Sequence, residues 1–366
     1  MPRPVVETIQ QHLKLESELG GYEAADAVRA DIEQTYDSIA ELIGGTARNI
    51  AVVENATVAF SQAMSAFDLV AGDRILTTRN DYISNQLAYL ALAQRRGVKI
   101  VRAEDLPEGG VDPDSVRALI RGERPAIVAV TWIPTNSGLV QDVQAVGDAC
   151  AEAEVPYLLD ACQTVGQMPI DVARLKCDFL SATARKFLRG PRGAGFLYVS
   201  DRMLQQGRYP MSLDMRGARW TEADEFALAE SAHRFENWDF SYALVLGQGR
   251  AARYATDIGL DRIQVMVREL AAYARERMAR LDGVRVLERG RELCAIVTAE
   301  IAGHDALDIM LRLREEAINT TATRREYAVL DMDDKRAATA LRVSPHYYNT
   351  RREIDILVSA LEEFVS

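Results

Sequence analysis

The stretch ATARKFLRGPRGAG, Ala182–Gly195, sets one lysine among three arginines and three glycines, directly after the apolar run DFLS. The chain has 43 Lys plus Arg, and only five of these are lysines: Lys14, Lys99, Lys176, Lys186 and Lys335. Arginine is the default cation here, so a lysine in this stretch asks for a chemical reason. An amine can lose its proton and attack a carbonyl, which a guanidinium cannot. Gly190, Gly193 and Gly195 let backbone approach closely, and strand patterns stand on either side of Lys186.

Outward from that stretch, residues 50 to 200 alternate helical and strand patterns in the manner of βαβ units, which predicts a mostly parallel sheet. The strand candidates are RILTT (Arg74–Thr78), VKIVRA (Val98–Ala103), AIVAVTWI (Ala126–Ile133), VPYLLDA (Val155–Ala161), DFLSAT (Asp178–Thr183) and GFLYVS (Gly195–Ser200). Two helical stretches precede them, joined at Gly20-Gly21. Gly207–Phe240 has no clear period and reads as a long functional loop, and one long helical stretch, Ser241–Leu281, follows it. The remainder alternates again and predicts a compact α+β unit. The expected division is an N-terminal helix at 1–22 joining the small unit, a large unit at 23–260 and a small one at 261–366.

A length of 366 residues suits one large domain and a smaller one. The formal net charge of −11 argues against nucleic-acid binding as the main activity. No secretory pattern opens the sequence and no apolar run approaches a membrane span, so the expected compartment is the cytoplasm, with no membrane partner. Cys150, Cys162, Cys177 and Cys294 form no CxxC pair and have no histidines at ligand spacing, so no metal is expected.

Four features carry chemistry. Asp160 ends a buried strand pattern, at the carboxyl edge where open α/β sheets bind ligands. Lys186 follows the next strand. A lysine and a carboxylate held at one sheet edge suit pyridoxal phosphate, whose aldehyde takes the amine and whose pyridine nitrogen keeps its proton beside the carboxylate. In ENATVAFSQAM, Ala56 and Thr57 stand where a helix begins, a natural phosphate site. In RVSPHYYN, Arg342 suits a bidentate clamp on a substrate carboxylate. Taken singly, each also has a plain structural reading: a helix cap, a surface lysine, an ordinary Asn or Thr cap, a solvated strand arginine.

Together DACQ, the RKFLRGPRGAGFLYV block and RVSPHYYN, in that order, resemble the class-V aminotransferases. That family of pyridoxal phosphate enzymes includes cysteine desulfurases, selenocysteine lyases and isopenicillin-N-epimerase-like proteins. The resemblance implies an α/β, aspartate aminotransferase (type I) fold with a seven-stranded sheet, and a homodimer. It also implies site roles. Lys186 would carry the cofactor and Asp160 would face the pyridine nitrogen. Gln163 would lie near the phenolic oxygen, with Thr135 or Asn136 on the same side. Ala56, Thr57, Thr183 and Arg185 would hold the phosphate. Tyr82 of RNDYISNQ would stack on the cofactor ring, or else pack as a core tyrosine. Trp220 and Thr221 of GARWTEAD would reach the cofactor phosphate of a partner subunit.

Two departures qualify the resemblance. Family members usually carry a short segment over the active site before the PRPV-like helix, whereas this sequence opens at MPRPV; either the start lies upstream or the roof over the substrate differs. The loop before Arg342, TRREYAVLDMDDKRAATA, has no cysteine, which disfavours a desulfurase that accepts sulfur as a persulfide. The expected activity is cleavage of a carbon–sulfur or carbon–selenium bond in a cysteine-like amino acid. Transamination and racemisation are the enzymatic alternatives, and a non-catalytic binding relative the remaining one.

Overall fold

The computed structural model describes residues 1–365. Its large sheet has seven strands: β1 (Ile50–Val53), β2 (Arg74–Thr77), β3 (Lys99–Arg102), β4 (Ile127–Thr131), β5 (Tyr157–Asp160), β6 (Phe179–Thr183) and β7 (Gly195–Val199). Their order is β1-β7-β6-β5-β4-β2-β3. All neighbours run parallel except β7, which is antiparallel to both β1 and β6. The mostly parallel seven-stranded sheet expected from the sequence is therefore present.

Side chains on a strand alternate between faces, and the central strands bury both. Val128, Val130, Tyr157, Leu159 and Leu180 enter one apolar cluster, while Ile127, Ala129, Leu158 and Phe179 enter another. No charged residue interrupts β4 or β5 until Asp160, the last residue of β5. Asp160 thus shares a face with Leu158, two residues back.

Two helices on that face position the site. Ala56–Ser65 starts at Asn55, whose side chain accepts the Val58 N–H at 3.0 Å, so the chain turns sharply after β1. Ile83–Arg96 ends at Gly97 in the left-handed conformation (φ 72°), with Arg95 and Arg96 beside the negative end of its dipole.

The C-terminal unit is an antiparallel sheet of β10 (Val284–Val286), β11 (Val297–Ile301), β12 (Thr321–Arg324) and β13 (Thr339–Val343) in the order β10-β11-β13-β12. The segment between the two sheets holds β8 (Ala218–Glu222) and β9 (Glu225–Leu228), a two-stranded hairpin where the sequence reads as a loop. Its burial is too slight to produce an apolar alternation: every β8 residue but the first is exposed. The long helical stretch is two helices, Tyr242–Ile258 and Leu260–Met278, broken at Gly259 (φ 92°). The second helix joins the cores, with Ile263 and Val267 in the large cluster and Ala271, Ala274 and Met278 in the small one. The first helix of the chain, Arg3–Leu19, packs on Tyr242–Ile258, with Val5 in the large cluster. No helix among the described residues is long and apolar enough to cross a membrane.

Candidate active site

The chain between β6 and β7 carries Lys186 on a tightly folded loop. Gly190 N–H bonds Ala184 O at 2.8 Å, and a Cβ on Gly190 would meet the Ala184 Cβ at 2.7 Å. Arg189 is held at φ 62° and Gly193 at φ 80°. Gly195 touches the turn before Ala56: a Cβ there would lie 2.7 Å from Ala182 O and 3.0 Å from Asn55 Cα. These contacts bring Thr183, at the end of β6, against the N-terminal turn of Ala56 and Thr57. The glycines are therefore required by close approach, as the sequence suggests.

Lys186 is half-buried, with Nζ 5.5 Å from the centroid of the Tyr82 ring. Burial pushes its pKa down, and the charges of Arg342 and Arg185 push the same way, against Cys162 and Asp160. Among the described residues it makes no salt bridge. Asp160 is buried, and its carboxylate accepts from Cys162 N at 2.9 Å and from Asn85 Nδ2 at 3.0 Å. Gln163, also buried, donates from Nε2 to Thr135 Oγ1 at 3.0 Å, while its Oε1 has no partner among the described residues.

Arg342 arrives from β13 of the other sheet. Among the described residues its side chain bonds only Ser344, from Nε to Oγ at 3.1 Å, and no carboxylate pairs with it. Burial lowers its pKa to about 10, with Arg185 acting in the same direction. A half-buried guanidinium beside a second guanidinium and an amine lacks an anion, and its fork suits a carboxylate. A cavity of about 940 Å³ lies elsewhere: Trp132, Gln141, Arg174 and Arg291 line it, and none of these site residues do.

Residues 1–357 match the family model described as aminotransferase class-V. The chain belongs to the class-V aminotransferase family. Over 99% of its length it is 27% identical to a probable cysteine desulfurase of Methanothermobacter thermautotrophicus, of which it covers 91%. It is 29% identical to a probable hercynylcysteine sulfoxide lyase of Mycobacterium tuberculosis, over 96% of this chain and 84% of that one. A solved apo cysteine desulfurase from Thermococcus onnurineus superposes with a TM-score of 0.90 at 24% identity, covering all of this chain and 92% of the other. The fold is thus the type I fold of that family, and the chain is a pyridoxal phosphate-dependent enzyme.

The pocket fits that cofactor. It offers an amine without a salt bridge, a carboxylate already oriented by two donors, a helix start pressed against Gly195, and the unpartnered amide end of Gln163. The Thr135 hydroxyl can donate as well as accept, so the Gln163 amide can present either end to a neighbouring oxygen. Most residues singled out in this class-V sequence converge here. Asn136 is an exception: its side chain donates to Asp331 of the C-terminal unit at 2.5 Å, where Lys335 also donates at 2.8 Å. Trp220 and Thr221 are another, because they stand on the exposed hairpin, where Trp220 Nε1 bonds only Ala223 O.

His346, inside RVSPHYYN, carries no local signal of its role. Its ring stacks on Phe187 (centroids 5.5 Å) and on Tyr348 (5.0 Å), its Nε2 donates to Phe187 O and its Nδ1 accepts Tyr347 N–H, both at 2.9 Å. Arg189 Nη1 also reaches Tyr347 OH at 2.8 Å. This aromatic clasp ties the residues after Arg342 to the residues after Lys186. Burial lowers the His346 pKa to about 4, aided by Arg189 and the amino terminus and opposed by the Phe187 carbonyl. The folded state therefore refuses a proton that the unfolded chain accepts below its ordinary value near 6.5. The clasp contributes fully above about pH 6.5 and is lost as pH falls toward 4. Denaturant unfolding of wild type should lose roughly 3 kcal/mol more across that window than His346→Gln, whose amide keeps one donor and one acceptor.

Proposed function

We propose that this class-V enzyme cleaves the Cβ–S bond of a cysteine-like substrate, a thioether or sulfoxide conjugate, by β-elimination. The observation that carries the reading is an amine without a salt bridge, Lys186, beside Asp160 and the unpaired Arg342, in a chain with no accessible thiol. Cys150, Cys162, Cys177 and Cys294 are all buried, and burial raises the pKa of each. None of them can serve as an exposed sulfur acceptor. The relatives named as cysteine desulfurase and hercynylcysteine sulfoxide lyase support a sulfur-bearing amino acid, and the second matches a chain that releases sulfur without a nucleophilic cysteine.

Pyridoxal phosphate, when bound, supplies the electron sink that makes the α-proton acidic. Lys186 would hold the cofactor through its aldehyde, and its lowered pKa favours a neutral Nζ that can take up the substrate α-proton. Asp160 would hold the proton on the ring nitrogen. Tyr82 would cover one face of the ring, Gln163 with Thr135 would serve the phenolic oxygen, and Ala56, Thr57, Thr183 and Arg185 would hold the phosphate. Arg342 grips the substrate carboxylate. The Cβ–S electron pair leaves on sulfur, which is protonated to a thiol or, from a sulfoxide, to a sulfenic acid. Water then converts the remaining enamine to pyruvate and ammonia.

The same reading divides the chain near residue 260, where Gly259 separates two helices, and places it in the cytoplasm, where four free cysteines stay reduced. It also makes the enzyme a homodimer. The hairpin region exposes Trp220 (79%), Met211 (76%) and Met215 (67%), more apolar surface than a short solvated hairpin needs. On a second copy, Trp220 and Thr221 would lie at the cofactor phosphate.

Three outcomes are expected. The holoenzyme should convert a cysteine S-conjugate or sulfoxide to pyruvate in a panel also scored for keto acid and racemised amino acid, and Lys186→Ala should abolish both turnover and the borohydride-fixed label. Turnover that yields only keto acid or D-amino acid, or a label on Lys176, overturns the reading. Arg342→Lys keeps the charge but loses the fork, so KM should rise roughly 10-fold or more with an unchanged cofactor spectrum; an unaltered KM places the carboxylate site elsewhere. Light scattering of the holoenzyme at micromolar concentration should give a dimer that Trp220→Glu weakens, and a monomeric holoenzyme removes the partner role of Trp220 and Thr221.

A further inference from the structure

Behind Asp160 lies a second buried carboxylate, Asp81, 5% exposed, just before Tyr82. It accepts five hydrogen bonds: from Tyr82 N at 2.7 Å, Gln86 Nε2 at 2.9 Å, Thr77 Oγ1 at 3.0 Å, Asn85 Nδ2 at 3.2 Å and Thr131 Oγ1. All five donors are neutral. The nearest guanidinium in this network, Arg102, reaches it only through Gln86, whose Oε1 it meets at 2.9 Å. Burying a carboxylate without a cationic partner is costly, so its retention asks what an ionised group does here that an amide would not.

The answer lies in Asn85, one turn along the helix. Its Nδ2 donates to Asp81 Oδ1 at 3.2 Å and to Asp160 Oδ2 at 3.0 Å. An ionised carboxylate only accepts, so Asp81 forces the NH2 end of Asn85 toward both acids. An amide at position 81 could donate instead, and Asn85 could then turn its carbonyl toward Asp160. Asp81 also fixes the main chain of Tyr82, whose ring lies over Lys186 Nζ.

We propose that Asp81 is a positioning residue: through Asn85 it aims Asp160 at the ring nitrogen of the cofactor, and through the Tyr82 main chain it sets the ring above Lys186. The inference rests on the reading of Asp160 as the partner of that nitrogen. A second anion one amide away also strengthens the hold of Asp160 on the nitrogen's proton, because charges at such separations inside protein interact by more than they do in water. Burial raises the pKa of Asp81, and the hydrogen bonds from Thr131, Gln86, Asn85 and the Tyr82 main chain oppose that rise.

The test loads wild type, Asp81→Asn, Asp81→Glu, Asn85→Ala and Asp160→Asn with pyridoxal phosphate labelled with ¹⁵N in the ring, and records the ¹⁵N shift and the visible absorption at one pH. The expected result is a resonance displaced toward the deprotonated position in Asp160→Asn, displaced part of that way in Asp81→Asn and Asn85→Ala, and restored toward wild type in Asp81→Glu. Turnover should fall about tenfold in Asp81→Asn, the equivalent of one pKa unit at the nitrogen. Asn85→Ala cuts the same bridge from a helical site that accepts alanine, so it decides the matter if Asp81→Asn folds poorly. A resonance displaced in Asp160→Asn but unmoved in Asp81→Asn and Asn85→Ala overturns the proposal for Asp81 alone. A resonance unmoved in Asp160→Asn removes the reading of Asp160 and this proposal with it.

Discussion

The amine of Lys186 sits close to two arginines and one carboxylate, yet no salt bridge holds it. Asp160 instead accepts the Cys162 N–H on one oxygen and the Asn85 amide on the other. Burial and the guanidinium charges of Arg342 and Arg185 then lower the amine's pKa, so the molecule keeps a nucleophile in reserve rather than a structural ammonium. Much of the surrounding architecture can be understood as the means of maintaining that arrangement.

The first means is backbone proximity. A parallel sheet delivers the ends of β4, β5 and β6 side by side, and β7 returns antiparallel so that Gly195 meets the turn before Ala56. A side chain at 190 or 195 would separate Ala184 or Asn55 from the loop, and the helix start could no longer face the same space as Lys186. The second means is the clasp between the units. Arg342 belongs to a different sheet from Lys186, and their relation depends on His346 against Phe187, Arg189 against Tyr347, Asn136 with Asp331, and Arg79 with Asp334. His346 accepts this position only as the neutral imidazole, because both of its nitrogens already have partners of fixed sense.

Polar groups behind the site follow one pattern. Asp81, Thr131, Asn85 and Asp160 form a buried set in which each carboxylate is an acceptor only, which leaves the orientation of the amide no freedom. Such a network is costly if any member is lost, and it lies directly beneath Tyr82 and Lys186. The central strands β4 and β5 are otherwise apolar up to Thr131 and Asp160 at their ends, where this polar set begins.

Residue types and their order were enough to mark Lys186, Asp160 and Arg342 as candidates, together with the parallel sheet, because an amine, a carboxylate and buried apolar runs are local properties of the chain; Gln163 and Thr135 entered only through the family resemblance. The same local signals ran two helices together across Gly259 and read a solvated hairpin as a loop, since exposed strands carry no apolar alternation. Asp81 and Asn85 stood in the quoted RNDYISNQ without drawing notice, because their meaning depends on Asp160, 75 residues beyond Asn85. Asn136 was legible as a polar residue in the right loop, but only the packing of the C-terminal unit turns it toward Asp331. The sequence by itself determined which groups could do the chemistry. The tertiary structure decided which of them meet, because distances across parallel strands and between two sheets are set by packing over the whole molecule, not by neighbours along the chain.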